Sequence, residues 1–155
     1  GFLHRHNHWN RSYDHNQLRI TRVTESLRLL VSDEEADNLI ITKNGAKFDF
    51  PIIEKYLGIS FEGILHHDIE KHIMDESGER YRLSELIHYH IGKEEGKLLE
   101  AKYAPTLWSQ GYYEVVVGYC IDDCYKTLQV YNDAKMRGYY CGIDSQGITL
   151  KKVMI

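Results

Sequence analysis

The sequence is poor in cysteine and proline, and it has no long apolar run and no excess of positive charge. It has three Cys, at 120, 124 and 141. An odd number at these spacings makes no disulfide framework, so a reducing, intracellular and cytoplasmic setting is expected. Two Pro, Pro51 and Pro105, leave no proline-rich linker. No stretch of about 18 apolar residues exists, so no membrane span is expected. No signal peptide is visible, because the first residues are rich in His and Asn rather than apolar. Nineteen basic residues stand against 23 acidic ones. That balance argues against a broad basic coat for nucleic acid but leaves room for a small metal-dependent site. The initial Met is also lacking; Gly1 at the start suggests a processed product or a fragment.

What the 155 residues do contain fits one domain able to bury a core. Four of the nine His cluster at the start, at positions 4, 6, 8 and 15. Residues 1–17 therefore read as a His-rich amino-terminal segment, and residues 18–155 as the folded domain. LRITRV, Leu18 to Val23, alternates like a half-buried strand. Leu27, Leu30 and Val31 follow at helical spacing. LIIT, Leu39 to Thr42, is a continuous apolar run of the kind found in buried parallel strands. Asn44-Gly45 marks a turn. Phe48 to Leu57 reads as a helix with Ile52, Ile53, Tyr56 and Leu57 on its apolar face and Gly58 as its stop. Gly63 to Ile69 reads as a strand and Met74 to Arg80 as a polar turn. Further helices are expected from Leu83 to Ile91, after Pro105 and from Tyr112 to Met136, with a terminal strand from Ile148 to Met154. Strands alternating with helices give an α/β class.

Two sites exceed ordinary helix logic. In N-G-A-K-F-D, Asn44 to Asp49, a carboxylate follows the end of a buried strand, where α/β sheets place ligands and metals. Helix capping by Asp49 explains the same residue without function. In Y-C-I-D-D-C-Y-K-T, Tyr119 to Thr127, Tyr119 and Asp123 lie four apart and share one helix face. A buried carboxylate there needs a cation, a metal or a donor; a Tyr or Lys partner would meet that need structurally. Cys120 and Cys124 also lie four apart. They lack the companions of a zinc finger and read as small buried helix residues.

With these motifs in hand, the chain resembles the DEDDy branch of 3′–5′ exonucleases, which have the RNase H-like fold and include the proofreading domains of family-B DNA polymerases. The match to N-x-x-x-F-D is Asn44, Phe48 and Asp49; the match to Y-x-x-x-D is Tyr119 and Asp123, followed by Thr127. Arg82 to Lys97 and Pro105 to Thr127 resemble the intervening family segments. Asp68, in HHDIEKH, matches an aspartate that is usually structural. The resemblance covers roughly Leu18 to Met136.

It implies a metal-dependent nuclease acting on the 3′ end of single-stranded DNA or RNA. Asp49 and Asp123 would be ligands of a two-metal Mg²⁺ or Mn²⁺ site, and Tyr119 would orient the attacking water. Asn44 and Phe48 would line the channel for the 3′ end, with the ring stacking on a base. The family's first motif, D-x-E, is absent: only 17 residues precede LRITRV, and no Glu occurs before Glu25. The fold is therefore expected to miss its first strands and two metal ligands. Three accounts follow: an exonuclease domain whose amino-terminal part is missing from this chain, supplied by another chain or removed; a degenerate nuclease fold kept for binding nucleic acid or protein; or a modified site using His4, His6, His8 or Asp14. An incomplete sheet would expose an edge, so a partner chain or dimer completing it is expected.

Overall fold

The computed structural model describes residues 24–27, 38–93 and 101–155. The expected strand over Leu18 to Val23, the boundary at residue 17 and the amino-terminal His cluster lie outside the described residues. Residues 24–27 are helical; Leu30 and Val31, which carry the rest of the expected helical spacing, lie outside the described residues.

The chain is mixed α/β. It runs β1 (Leu39–Thr42), α1 (Asp49–Leu57), β2 (Leu65–Asp68), α2 (Ile69–Ser77), α3 (Leu83–His90), a 3-10 turn (Ala101–Tyr103), α4 (Ala104–Ser109), α5 (Tyr113–Arg137), β3 (Tyr139–Tyr140) and β4 (Val153–Met154). β1 and β2 form a parallel pair. β3 and β4 pair antiparallel, with Tyr139 opposite Met154 and Tyr140 opposite Val153. No helix among the described residues is long and apolar enough to cross a membrane.

Two compact units partition the chain: Gly1–Ile40 with Lys47–Leu65, and Ile41–Ala46 with His66–Ile155. In the first, α1 forms where expected, with Asp49 in its first turn and Lys55 in its last, each matched to the helix dipole. The Phe50 and Phe61 rings stack with centroids 4.0 Å apart, and the Phe61 amide donates to Glu54 Oε1 at 3.2 Å. The expected apolar face is not buried: α1 has no buried residue, and Ile52 and Tyr56 are exposed.

The second unit holds the main core, built from Ile69, Ile73, Tyr81, Leu86, Ile87, Val130, Ala134, Tyr140 and Val153. Here the polar turn expected at Met74 to Arg80 is corrected, because α2 runs through Ser77. Three features outweigh the polar composition. Asp68 caps the helix by accepting from the Glu70 and Lys71 amides. Ile69 and Ile73, one turn apart, are fully buried. Lys71 and Asp75 pair across the solvent face. Gly78, with φ 72°, supplies the left-handed residue that ends it.

The terminal strand is also shorter than expected. It is only Val153–Met154, with an isolated bridge between Ile143 and Thr149. Its partner β3 carries no sequence signal of its own; two tyrosines after Gly138 pair through tertiary contact.

A buried His–Asp link ties α3 to α5. His90 Nδ1 lies 2.8 Å from Asp133 Oδ2, and the Cys141 amide donates to His90 Nε2 at 3.1 Å. Because Nε2 accepts, the ring proton sits on Nδ1 and points at the carboxylate. Arg137 Nε also donates to Asp133. Burial pushes His90 below the ordinary imidazole value, and the bond to Asp133 only partly offsets it. His66 and His67 are depressed in the same direction, chiefly by burial. A depressed folded-state value means that the unfolded chain takes up protons first. The stability of these neutral imidazoles is thus complete above about pH 6.5 and declines as pH falls below it. The melting temperature is therefore expected to drop between pH 7.5 and 5.5, and less so in His90→Gln. An unchanged melting temperature across that interval would contradict the assignment.

Candidate functional site

The Asn44–Asp49 motif begins in a loop anchored by one carboxylate. Asp68 Oδ1 accepts from the Asn44 amide at 2.7 Å, and Asp68 Oδ2 accepts from the Ala46 amide at 3.1 Å. The same Oδ1 accepts from the Glu70 and Lys71 amides at 3.0 and 3.4 Å. One buried side chain thus holds the loop after β1 against the first turn of α2. Burial alone would raise the Asp68 pKa, but its bonds to the Asn44, Ala46, Lys71 and Glu70 amides prevail and hold it below the usual carboxylate value.

Asn44 occupies the left-handed region, φ 69°, which Asn tolerates better than most residues. Gly45 is packed so tightly that an added Cβ would lie 2.5 Å from Thr42 Cβ. The Gly45 amide donates to Thr42 Oγ1 at 3.2 Å, and that hydroxyl lies 2.8 Å from His66 Nε2. Lys43 pairs with Glu70, which also faces Arg80 at 3.8 Å. The N-G turn is therefore held from several sides. Past it, Phe48 is 62% exposed. Asp49 is exposed as the first residue of α1, with Phe48 in the cap position and no side-chain cap bond there. The capping explanation of Asp49 is thus replaced by a first-turn carboxylate favoured by the helix dipole.

The second motif lies in α5. Tyr119, Thr127, Val130 and Ala134 are buried along the helix, and Asp123 falls in line with them at helical spacing. Asp123 is half-buried, and its Oδ1 atom is fully shielded from solvent. Thr127 Oγ1 donates to the Asp123 carbonyl at 2.7 Å. The neighbouring Asp122 points elsewhere and pairs with the buried Lys126 at 2.7 Å, as adjacent helix positions require. Cys120 and Cys124 are not small buried residues: both are exposed. The reason is register, since the buried stripe passes through 119, 123 and 127 and leaves 120 and 124 on the outer flank.

Asn44, Tyr119 and Asp123 belong to the second unit, and Phe48 and Asp49 to the first. Asp49 and Asp123 are oxygen donors of the kind that suits Mg²⁺ or Mn²⁺. Among the described residues no three His, Cys, Asp or Glu side chains converge as a metal group. Sequence reasoning missed the His90–Asp133 link, whose partners stand 43 positions apart, and the bond between His67 Nε2 and Tyr140 Oη at 2.9 Å. No local pattern announces either. Searches against protein-family models, curated proteins and solved structures found no match to the chain.

The loop geometry carries an expectation. Asp68→Ala removes the α2 cap and the acceptor for two loop amides, which costs about 2 kcal/mol or more. The denaturation midpoint should fall accordingly, with the amide resonances of 44–46 shifted. In the parent chain, because the Asp68 pKa is depressed on folding, its stabilising contribution is complete above about pH 4 and fades below it. A stability loss within 0.5 kcal/mol, on the order of a neutral surface change, would show that the carboxylate does not anchor the loop.

Proposed function

We propose that this chain is a metal-dependent 3′–5′ exonuclease-like domain with the RNase H-like fold, acting on the 3′ end of single-stranded DNA or RNA. The observation that carries the reading is the place of Asp123, a carboxylate with a shielded oxygen in the buried stripe of α5, one turn from the buried Tyr119. Support also comes from the held N-G turn after β1, with Phe48 and Asp49 exposed beyond it.

Bound divalent ions would supply charge stabilisation for the attacking and leaving oxygens of a phosphodiester. Asp123 would hold metal through its carboxylate oxygens, and Asp49 offers the same donor type. The Tyr119 hydroxyl orients the attacking water. The exposed Phe48 ring stacks on a terminal base, which is worth about 1–3 kcal/mol, and Asn44 hydrogen-bonds the strand beside it. The remaining ligands would come from a segment or partner chain bearing D-x-E.

The absence of D-x-E among residues 1–25 favours one second reading: a catalytically degenerate nuclease fold serving as a nucleic-acid-binding or protein-interaction module. Incubation of 3′-labelled single-stranded DNA and RNA with Mg²⁺ or Mn²⁺ separates the two. The nuclease reading predicts shortening from the 3′ end, lost on Asp123→Asn and reduced by at least about tenfold on Tyr119→Phe, a loss of about 1.4 kcal/mol of transition-state stabilisation. A metal-induced rise in melting temperature without cleavage marks an incomplete site. The absence of both cleavage and a metal-induced rise would overturn the catalytic reading.

A further inference from the structure

We propose that Cys120 and Cys124 form a two-thiolate site for a soft, two-coordinate metal ion with the chemistry of Cu(I), on the outer flank of α5. Both residues lie inside one continuous helix and are exposed, and neither is in a disulfide. Four residues apart on a helix, their Cβ atoms stand about 5–6 Å from each other. A disulfide requires about 3.5–4.5 Å, so direct oxidation of the pair would have to unwind α5. A metal bridge has no such conflict. Two metal–sulfur bonds of about 2.3 Å each, set in line, span about 4.6 Å, which thiolates on adjacent turns reach by rotating about their Cα–Cβ bonds.

The identity of the ion follows from donor type and number. Thiolates select soft ions such as Cu(I). Zinc takes four ligands in a structural site, and no third His, Cys, Asp or Glu joins the pair among the described residues. The flank is otherwise apolar, with Val117, Ile121, Tyr125 and Leu128 exposed around the two sulfurs, a setting that suits sulfur rather than oxygen coordination. Asp122, between the two cysteines in sequence, is engaged by Lys126. Cys141 offers a contrast within the same chain. It is buried, its Sγ lies 3.2 Å from the Leu150 carbonyl oxygen, and burial pushes its thiol up. Loading forms two metal–sulfur bonds and releases the two thiol protons, with no change in oxidation state. The site stands independently of the nuclease reading, because Mg²⁺ and Mn²⁺ prefer the carboxylates.

The test uses the reduced full-length chain under anaerobic conditions, titrated with Cu(I) against a coloured Cu(I) chelator, beside Cys120→Ser and Cys124→Ser. Copper held by the His-rich amino terminus is common to all three proteins, so the difference reports the pair. The proposal predicts one additional Cu(I) per parent chain, held at least about a hundredfold more tightly than by either variant, as expected when the second sulfur binds intramolecularly. The far-UV helix signal should not change on loading. A second probe is phenylarsine oxide. Its oxygen leaves as water with both thiol protons while two arsenic–sulfur bonds form. Intact mass should show one such adduct on the parent chain, resistant to a monothiol and removed by a dithiol. Equal copper affinity in parent and variants, an adduct that persists in Cys120→Ser, or loading accompanied by helix loss would each overturn the site.

Discussion

The carboxylate of Asp68 is the interaction on which the loop after β1 and the start of α2 both depend. It accepts four backbone amides, two from the loop after β1 and two from the first turn of α2. Unpaired buried amides are costly, so removing this acceptor harms the loop and the helix together. Every feature of the N-G turn is consistent with a loop held in one conformation: the left-handed Asn44, the close approach of Gly45 to Thr42 and the Lys43–Glu70 pair. A loop meant to present groups to a ligand gains from such support, because ordering it at the moment of binding would weaken the complex.

The second constraint is the register of α5. A helix of 25 residues offers every chemical group a choice of faces, and the apolar positions make the choice. Tyr119, Thr127, Val130 and Ala134 turn inward and carry Asp123 with them, while Cys120, Cys124 and Tyr125 turn outward. One helix thus presents an oxygen donor to one side and a pair of sulfur donors to another. These donor types suit different classes of metal, so the two candidate chemistries do not compete for the same ions. At the other end, the His90–Asp133 link fixes α5 against α3.

Much of this was legible in the chain. LIIT, the helix before Gly58 and the long helix ending at Gly138 follow from short apolar runs, helical spacing and glycine stops, although LIIT, expected as a buried strand, has no buried residue. The residues of the candidate site, Asn44, Phe48, Asp49, Tyr119 and Asp123, were identified by motif, and their elements form as expected. Other features were settled by contacts that no local window contains. The stretch after Asp68 looks like a polar turn, yet one cap and two buried isoleucines make it helical. β3 and β4 are two residues each and exist by pairing across the chain. The burial of Cys120 and Cys124 was misjudged because composition does not reveal which flank of an amphipathic helix faces out. The apolar face of α1 follows the right period, but a period states only which residues share a face, not whether anything covers it.

The proposed function makes Asp123 a ligand for a divalent metal ion. Paramagnetic broadening by substoichiometric Mn²⁺ in amide NMR spectra of the full chain tests it most directly, because it reads proximity to the ion and does not depend on turnover. The account predicts selective loss of the amide signals around Asp123, reversed by excess Mg²⁺ and abolished by Asp123→Asn. Broadening that leaves the signals around Asp123 unchanged would contradict it.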